Sequence, residues 1–147
     1  MNTELIRRAS RATLEGTMPF PEVVQTLLAA GVEFYHVDYV LLRKHFYSAD
    51  GEAVTTPIAY EGLPPVAAGF DRAALVADIR DSQQNGQAFR DFTIRAMQAG
   101  VQSYFAFLRG RRVTYLGRQG DQHTEWFPGA GPSDAEGAKS KPKFLSI

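Results

Sequence analysis

A chain of 147 residues that is 44% hydrophobic and 22% charged has apolar surface for one globular core and no length left for a second domain. Its 16 basic and 16 acidic side chains cancel, so no net field draws it to nucleic acid or to an anionic membrane. The absence of cysteine excludes a disulfide framework, thiol chemistry and thiolate metal sites, and it fits a reducing compartment, so a cytoplasmic location is expected.

From Met1 to Leu14 the apolar residues are interrupted by Glu4, Arg7, Arg8 and Arg11, unlike the continuous apolar run of a signal peptide, and no other stretch could span a bilayer. Thr3 is expected to cap a helix to about Leu14, with Leu5, Ile6, Ala9 and Leu14 on its buried stripe and Gly16 ending it. Pro21 suits the first turn of a second helix, whose apolar face is Val23, Val24, Leu27 and Leu28 and which stops at Gly31. The period then changes from 3.6 to 2. Between Val32 and Leu41 the alternation predicts one strand, with Tyr35, Val37, Tyr39 and Leu41 on the core face and Phe34, His36 and Asp38 opposed to them. Asp50-Gly51 signals a hairpin leading to Val54.

The segment from Thr55 to Phe70 carries Pro57, Pro64 and Pro65, reads as irregular, and joins two halves. Asp71 then caps a helix carrying Ala74, Leu75, Ala77 and Ile79, Asn85-Gly86 breaks it, and a further helix turns Phe89, Phe92, Ala96 and Met97 inward before Gly100. Strands follow at Val101 to Leu108 and Val113 to Leu116, joined through Arg109, Gly110 and Arg111, and Gly120-Asp121 turns into a last strand ending near Phe127. Residues 129 to 147 are rich in Gly, Pro, Ser, Lys and Asp, with apolar residues returning at Phe144, Leu145 and Ile147; they read as a flexible tail or a short docking peptide.

A displacement of 69 positions lays Ala30, Gly31, Val32 and Tyr35 on Ala99, Gly100, Val101 and Tyr104, and without a gap sets Phe20 on Phe89 and Gly51 on Gly120. The predicted architecture is therefore one α+β domain over residues 1–128, built from two helix-helix-hairpin halves, about 3–58 and 71–128, with helices packed on an antiparallel sheet. The halves part where His36 and Asp38 face Phe105 and Phe107. His36 and Asp38, two apart on a strand, share a face and could share a ligand or a proton. Asp121, His123 and Glu125 repeat that spacing, and the five together are the candidate ligand-binding residues. A strand triad alone is a poor cage, so no metal is expected; if one bound, His36, Asp38, His123 and Glu125 would hold it. Phe105 and Phe107 are either buried or a candidate partner contact. Arginines 109, 111, 112 and 118 lie among aromatic residues, but the neutral charge makes a solvated hairpin tip the expected reading, and nucleic acid and membrane are not expected as partners.

The stretches Gly31-Val32-Glu33-Phe34-Tyr35-His36-Val37-Asp38 and Ala99-Gly100-Val101, with the run from Gly117 to Pro128, resemble the YbcV/YdfO-like family of small bacterial and prophage proteins. The resemblance covers about Phe20 to Pro128. It implies an α+β fold and a bacterial origin and assigns no chemistry, since that family is a domain of unknown function whose members are sometimes labelled phage envelope protein. No nucleophile elbow, phosphate loop or zinc-helix motif is present, and no cofactor is expected. Two functions follow from the residues: a noncatalytic binding or adaptor module engaging a protein partner or a second copy of itself, or an acid/base or metal-assisted enzyme. Convergence of His36, Asp38, His123 and Glu125 in one pocket would separate them.

Overall fold

The computed structural model describes residues 1–131, so the predicted tail from position 132 onward lies outside the described residues. In chain order the elements are α1 (Thr3–Glu15), α2 (Phe20–Ala29), β1 (Val32–Asp38), β2 (Arg43–Ser48), β3 (Ala53–Pro57), α3 (Arg72–Asn85), α4 (Phe89–Gln98), β4 (Val101–Phe107), β5 (Arg112–Gly117) and β6 (Gln122–Trp126). The strands form one antiparallel sheet in the order β3-β2-β1-β4-β5-β6. Tyr35, Val37, Phe46, Tyr104, Ala106, Val113 and Tyr115 on one face are at most 2% exposed and join the helices in a single core. The other face is left without a covering element among the described residues. Antiparallel sheets tolerate this because their alternation can put polar and aromatic groups on the wet side.

Local chemistry places the helices. The side chain of Asn2, one residue before the expected Thr3, accepts the Leu5 N–H at 3.1 Å and caps α1, and Gly16 closes it in the left-handed region at φ 70°. Asp71 caps α3 as expected, accepting the Ala74 N–H at 3.0 Å. The stripes agree for Ile6, Ala9, Val23, Leu27, Leu75, Ile79, Phe89, Phe92, Ala96 and Met97. They fail at Leu28, which is 36% exposed, and in α3, where Ala74 and Ala77 face outward and Asp78, Ser82 and Gln83 face inward. On its inward side Asp78 lies near the buried hydroxyls of Tyr39 and Tyr115, so the helix meets polar groups there and not a purely apolar surface.

The single strand expected over Val32 to Leu41 stops at Asp38, where a tight turn leads into β2. Asp38 Oδ1 accepts the N–H groups of Val40 (2.8 Å) and Leu41 (3.0 Å), and Leu42 takes a left-handed φ of 57°. No glycine or proline marks this turn, so in the sequence the alternation runs on through it. Leu41, assigned to the core, is 67% exposed at the turn. The following β2 pairs with β3, which takes in Thr55, Thr56 and Pro57 from the segment read as irregular; Pro57 is tolerable because β3 is an edge strand.

The two halves repeat in spacing. Val32 and Val101, Arg43 and Arg112, Ala53 and Gln122 open corresponding strands, each displaced by 69 positions, and Phe20 and Phe89 open corresponding helices. The β1–β4 ladder pairs His36 with Phe105, which are counterparts under that displacement, and flanks them with Phe34–Phe107 and Asp38–Ser103. The register of this ladder is therefore symmetric about the His36–Phe105 pair.

The connection from β3 to α3 is tied down by Tyr60 Oη donating to Leu14 O (2.8 Å), by Ala67 N–H donating to Met97 O (3.0 Å) and by Asp71 N–H donating to Ala99 O (2.8 Å). It passes so close to Gly100, φ 93°, that a Cβ there would overlap the carbonyl oxygen of Gly69. Gly51 has a similar φ of 85° but open space around it. Gly100→Ala is expected to cost roughly 2 kcal/mol more than Gly51→Ala in urea unfolding, since only the first adds a collision to the backbone strain. Equal losses would remove the close approach as the cause.

Candidate functional site

The uncovered face is organised as rows of side chains running across the strands. One row takes in all six: Thr55 (β3), His45 (β2), His36 (β1), Phe105 (β4), Thr114 (β5) and Thr124 (β6). His45 Nδ1 and Thr55 Oγ1 are 3.0 Å apart, the rings of His36 and His45 stack at 5.8 Å, those of His36 and Phe105 at 4.4 Å, and the Thr114 and Thr124 hydroxyls are 3.1 Å apart. The neighbouring row is more apolar. Phe34 stacks on Tyr47 at 4.9 Å and lies 6.1 Å from Phe107, while the guanidinium of Arg112 sits 4.4 Å over the Trp126 ring. Directly opposed pairs of this kind stabilise a sheet by about 0.2–1 kcal/mol each, which keeps the face ordered without a covering layer. Between the rows is an open groove of about 520 Å³ lined by Phe34, Phe107, Thr114 and Thr124, with Glu33, Arg109 and Arg112 at its rim.

The five predicted ligand residues do not meet. His36 and Asp38 are on the uncovered face, as expected. Burial lowers the pKa of His36, with Asp38 pulling against it and His45 adding to the fall. The carboxylate of Asp38 is already engaged by the turn. Asp121 is exposed in the loop before β6. His123 and Glu125 lie opposite Tyr115 and Val113, which puts them on the helix-covered face. There Arg72 Nη1 donates to His123 Nδ1 (3.1 Å), so the neutral ring carries its hydrogen on Nε2, 3.6 Å from Glu125 Oε1. The sheet thus separates the two pairs, and among the described residues no group of three or more potential ligands is placed to hold a metal ion. Phe105 and Phe107 are half-buried by their neighbours on the uncovered face, not beneath a helix.

Two ionisable residues in the core had no place among the predicted candidates. Lys44, 2% exposed, is pushed down to about 7 by burial, and its ammonium lies 4.2 Å over the Phe89 ring. Asp78 is fully buried and pushed up to about 7 by burial, with Gln87 and then Arg95 pulling against the rise; Arg95 Nε is 3.4 Å away. Around Asp78 the hydroxyls of Tyr39, Thr93, Tyr104 and Tyr115 are buried without a hydrogen bond of good geometry. Burial holds the phenols of Tyr104 and Tyr115 well above their ordinary range. A signal for both residues was present in the halves. Under the displacement of 69, Lys44 falls on Val113 and Asp78 on Ala9, so each is a charge where the other half has an apolar core residue.

Over 119 residues the sequence is 30% identical to uncharacterised proteins of Mycobacterium bovis (strain ATCC BAA-935 / AF2122/97) and Mycobacterium tuberculosis (strains CDC 1551 / Oshkosh and ATCC 25618 / H37Rv), covering 78% of this chain and 70% of theirs. The chain belongs to the family of these mycobacterial proteins. No family model matches the sequence. The fold of this chain is α+β, with helices on one face of a single antiparallel sheet, and no helix among the described residues is long and apolar enough to cross a membrane.

The buried charges set a pH dependence whose sign can be worked out. The Asp78 penalty is absent below its unfolded value of 3.8, grows as pH rises, and is complete above about 7. The Lys44 penalty is complete below about 7 and is relieved as pH rises toward 10.5. Stability of the wild-type chain is expected to fall from pH 4 to 7 and to rise from 7 to about 9.5. Lys44→Met should abolish the rising limb and stabilise the chain at pH 6 by on the order of 2 kcal/mol, and Asp78→Asn should abolish the falling limb. Urea midpoints measured across that range check both, and unchanged limbs would refute the assignment.

Proposed function

We propose that the chain is a small noncatalytic binding module whose uncovered sheet face receives an extended apolar segment of a protein partner. The observation that carries this reading is the groove between Phe34 and Phe107, set in a face whose rings already form an ordered surface. Recognition would draw on apolar contact in the groove and on Glu33, Arg109 and Arg112 around it, the arrangement of an apolar centre with a polar rim common to protein interfaces. The enzyme alternative asks for His36, Asp38, His123 and Glu125 in one cavity, and their placement on two faces of the sheet weighs against it.

The resemblance to the YbcV/YdfO-like family and the bacterial relatives favour a cytoplasmic protein of bacterial or prophage origin, and a duplicated unit of 69 residues accounts for the matched halves. Neutral overall charge favours a protein partner over nucleic acid.

Random peptides selected on the immobilised chain test the module. Enriched peptides are expected to carry aromatic or aliphatic anchors, to shift the amide resonances of Phe34, Phe105, Phe107 and Thr114, and to bind the paired variant Phe34→Ser/Phe107→Ser at least about tenfold more weakly. Peptides that bind that variant equally well, or that perturb only the helices, would count against a docking face, as would a selection that enriches nothing.

A further inference from the structure

The described chain leaves the fold on the uncovered face. After β6 a turn brings Ala130 against the core and sets Gly131 on the indole of Trp126 so closely that a Cβ has no room there. Trp126 belongs to that face, being paired with Arg112 and stacked beneath its guanidinium. The groove between Phe34 and Phe107 begins on the adjoining strands, with Thr124 on β6, Thr114 on β5 and Phe107 on β4. From β6 to β4 is two strand spacings, about 10 Å.

The sequence beyond Gly131 fits that position. Residues 132 to 143 are small, polar or charged, and Phe144, Leu145 and Ile147 are apolar. A random-coil chain of twelve residues has a root-mean-square span of about 20 Å, which exceeds the distance to be covered. Such a tether gives a local concentration in the millimolar range, enough for a motif of weak intrinsic affinity to be mostly bound. Charge agrees as well: Asp134 and Glu136 follow the exit beside Arg112, while Lys143 immediately precedes Phe144 and Glu33 rims the groove. A second copy of the chain fits less well. Six strands at about 4.8 Å spacing and five residues at about 3.4 Å give a face of roughly 500 Å², below the roughly 800 Å² per partner of a standard interface.

Building on the docking face proposed above, we infer that the segment from Pro132 to Ile147 is its occupant in the free protein, with Phe144 and Leu145 in the groove between Phe34 and Phe107. The module is then self-occupied, and an external segment binds by displacing its own chain. Its apparent affinity is lowered by the fraction of time the groove is filled.

The cysteine-free sequence makes the test direct. A nitroxide is attached at Ser146→Cys in the full chain, and amide relaxation is measured in the labelled protein and in a mixture of labelled unenriched with unlabelled isotope-enriched protein. Broadening at Phe34, Phe107, Thr114 and Thr124 in the first sample only, lost on adding Phe144→Ser/Leu145→Ser, supports the inference. The same double substitution should strengthen binding of the selected peptides by about three- to tenfold. Absence of broadening on the face overturns it, as does broadening confined to the helices. Equal broadening in the mixture also overturns it and makes a second copy the occupant. If the broadening is absent while selected peptides still bind at Phe34 and Phe107, self-occupation falls and the docking face stands. If the peptides also fail to bind there, the docking face falls with it.

Discussion

The antiparallel pairing of β1 with β4 holds the two halves of this protein together, and its register decides what each face of the sheet carries. Because His36 meets Phe105, every row above and below is fixed: Phe34 with Phe107 on the uncovered side, Tyr35 with Ala106 and Val37 with Tyr104 on the covered side. Side chains on a strand alternate, so a slip of one residue would turn Tyr35, Val37 and Tyr104 to solvent and bring Phe34, His36 and Phe105 beneath the helices. The burial of Tyr35, Val37, Tyr104 and Ala106, none more than 1% exposed, makes that slip prohibitive. The ordered aromatic face is in this sense a by-product of a core that admits one register.

That core is unusual in how much polarity it encloses. Four tyrosines, a lysine and an aspartate lie among its apolar residues, and the two charged groups stand at unrelated places in the two halves. Burial is the largest influence on both: Lys44 has no carboxylate beside it among the ion pairs of the described residues, and the Arg95 guanidinium 3.4 Å from Asp78 offsets the burial of that carboxylate only in part. Replacing such groups by apolar ones is commonly stabilising, which means that stability does not explain their presence. The helix layer and the sheet nevertheless pack without a cavity large enough for water beside Lys44, so this polarity lies shut away from solvent, unlike the open groove on the far side of the sheet.

The two faces therefore divide the chemistry. The helix-covered side encloses the buried charges Lys44 and Asp78, and the uncovered face holds stacked rings, His36 and His45 among them, with hydroxyls and a shallow groove. Between the two faces the six-stranded ladder is continuous.

The order of helices and strands, the glycine stops at Gly16 and Gly86, the cap at Asp71 and the displacement of 69 between halves follow from sequence alone, because capping, turn chemistry and periodicity act over a few residues. The placement of Tyr35 and Val37 opposite His36 and Asp38 follows for the same reason. The turn at Asp38 to Leu42 did not, since a side-chain carboxylate closes it where a glycine would have announced it. Nor did the inward face of α3, where Asp78 replaces Ala77 because tyrosines from distant strands lie opposite. The separation of His36 and Asp38 from His123 and Glu125 was a matter of tertiary structure only: period 2 says that two residues share a face, and only the sheet's pairing says which face it is. The displacement of 69 also sets Lys44 on Val113 and Asp78 on Ala9, an asymmetry of the same kind as His36 on Phe105. What it could not supply was depth, because burial depends on residues far apart in the chain.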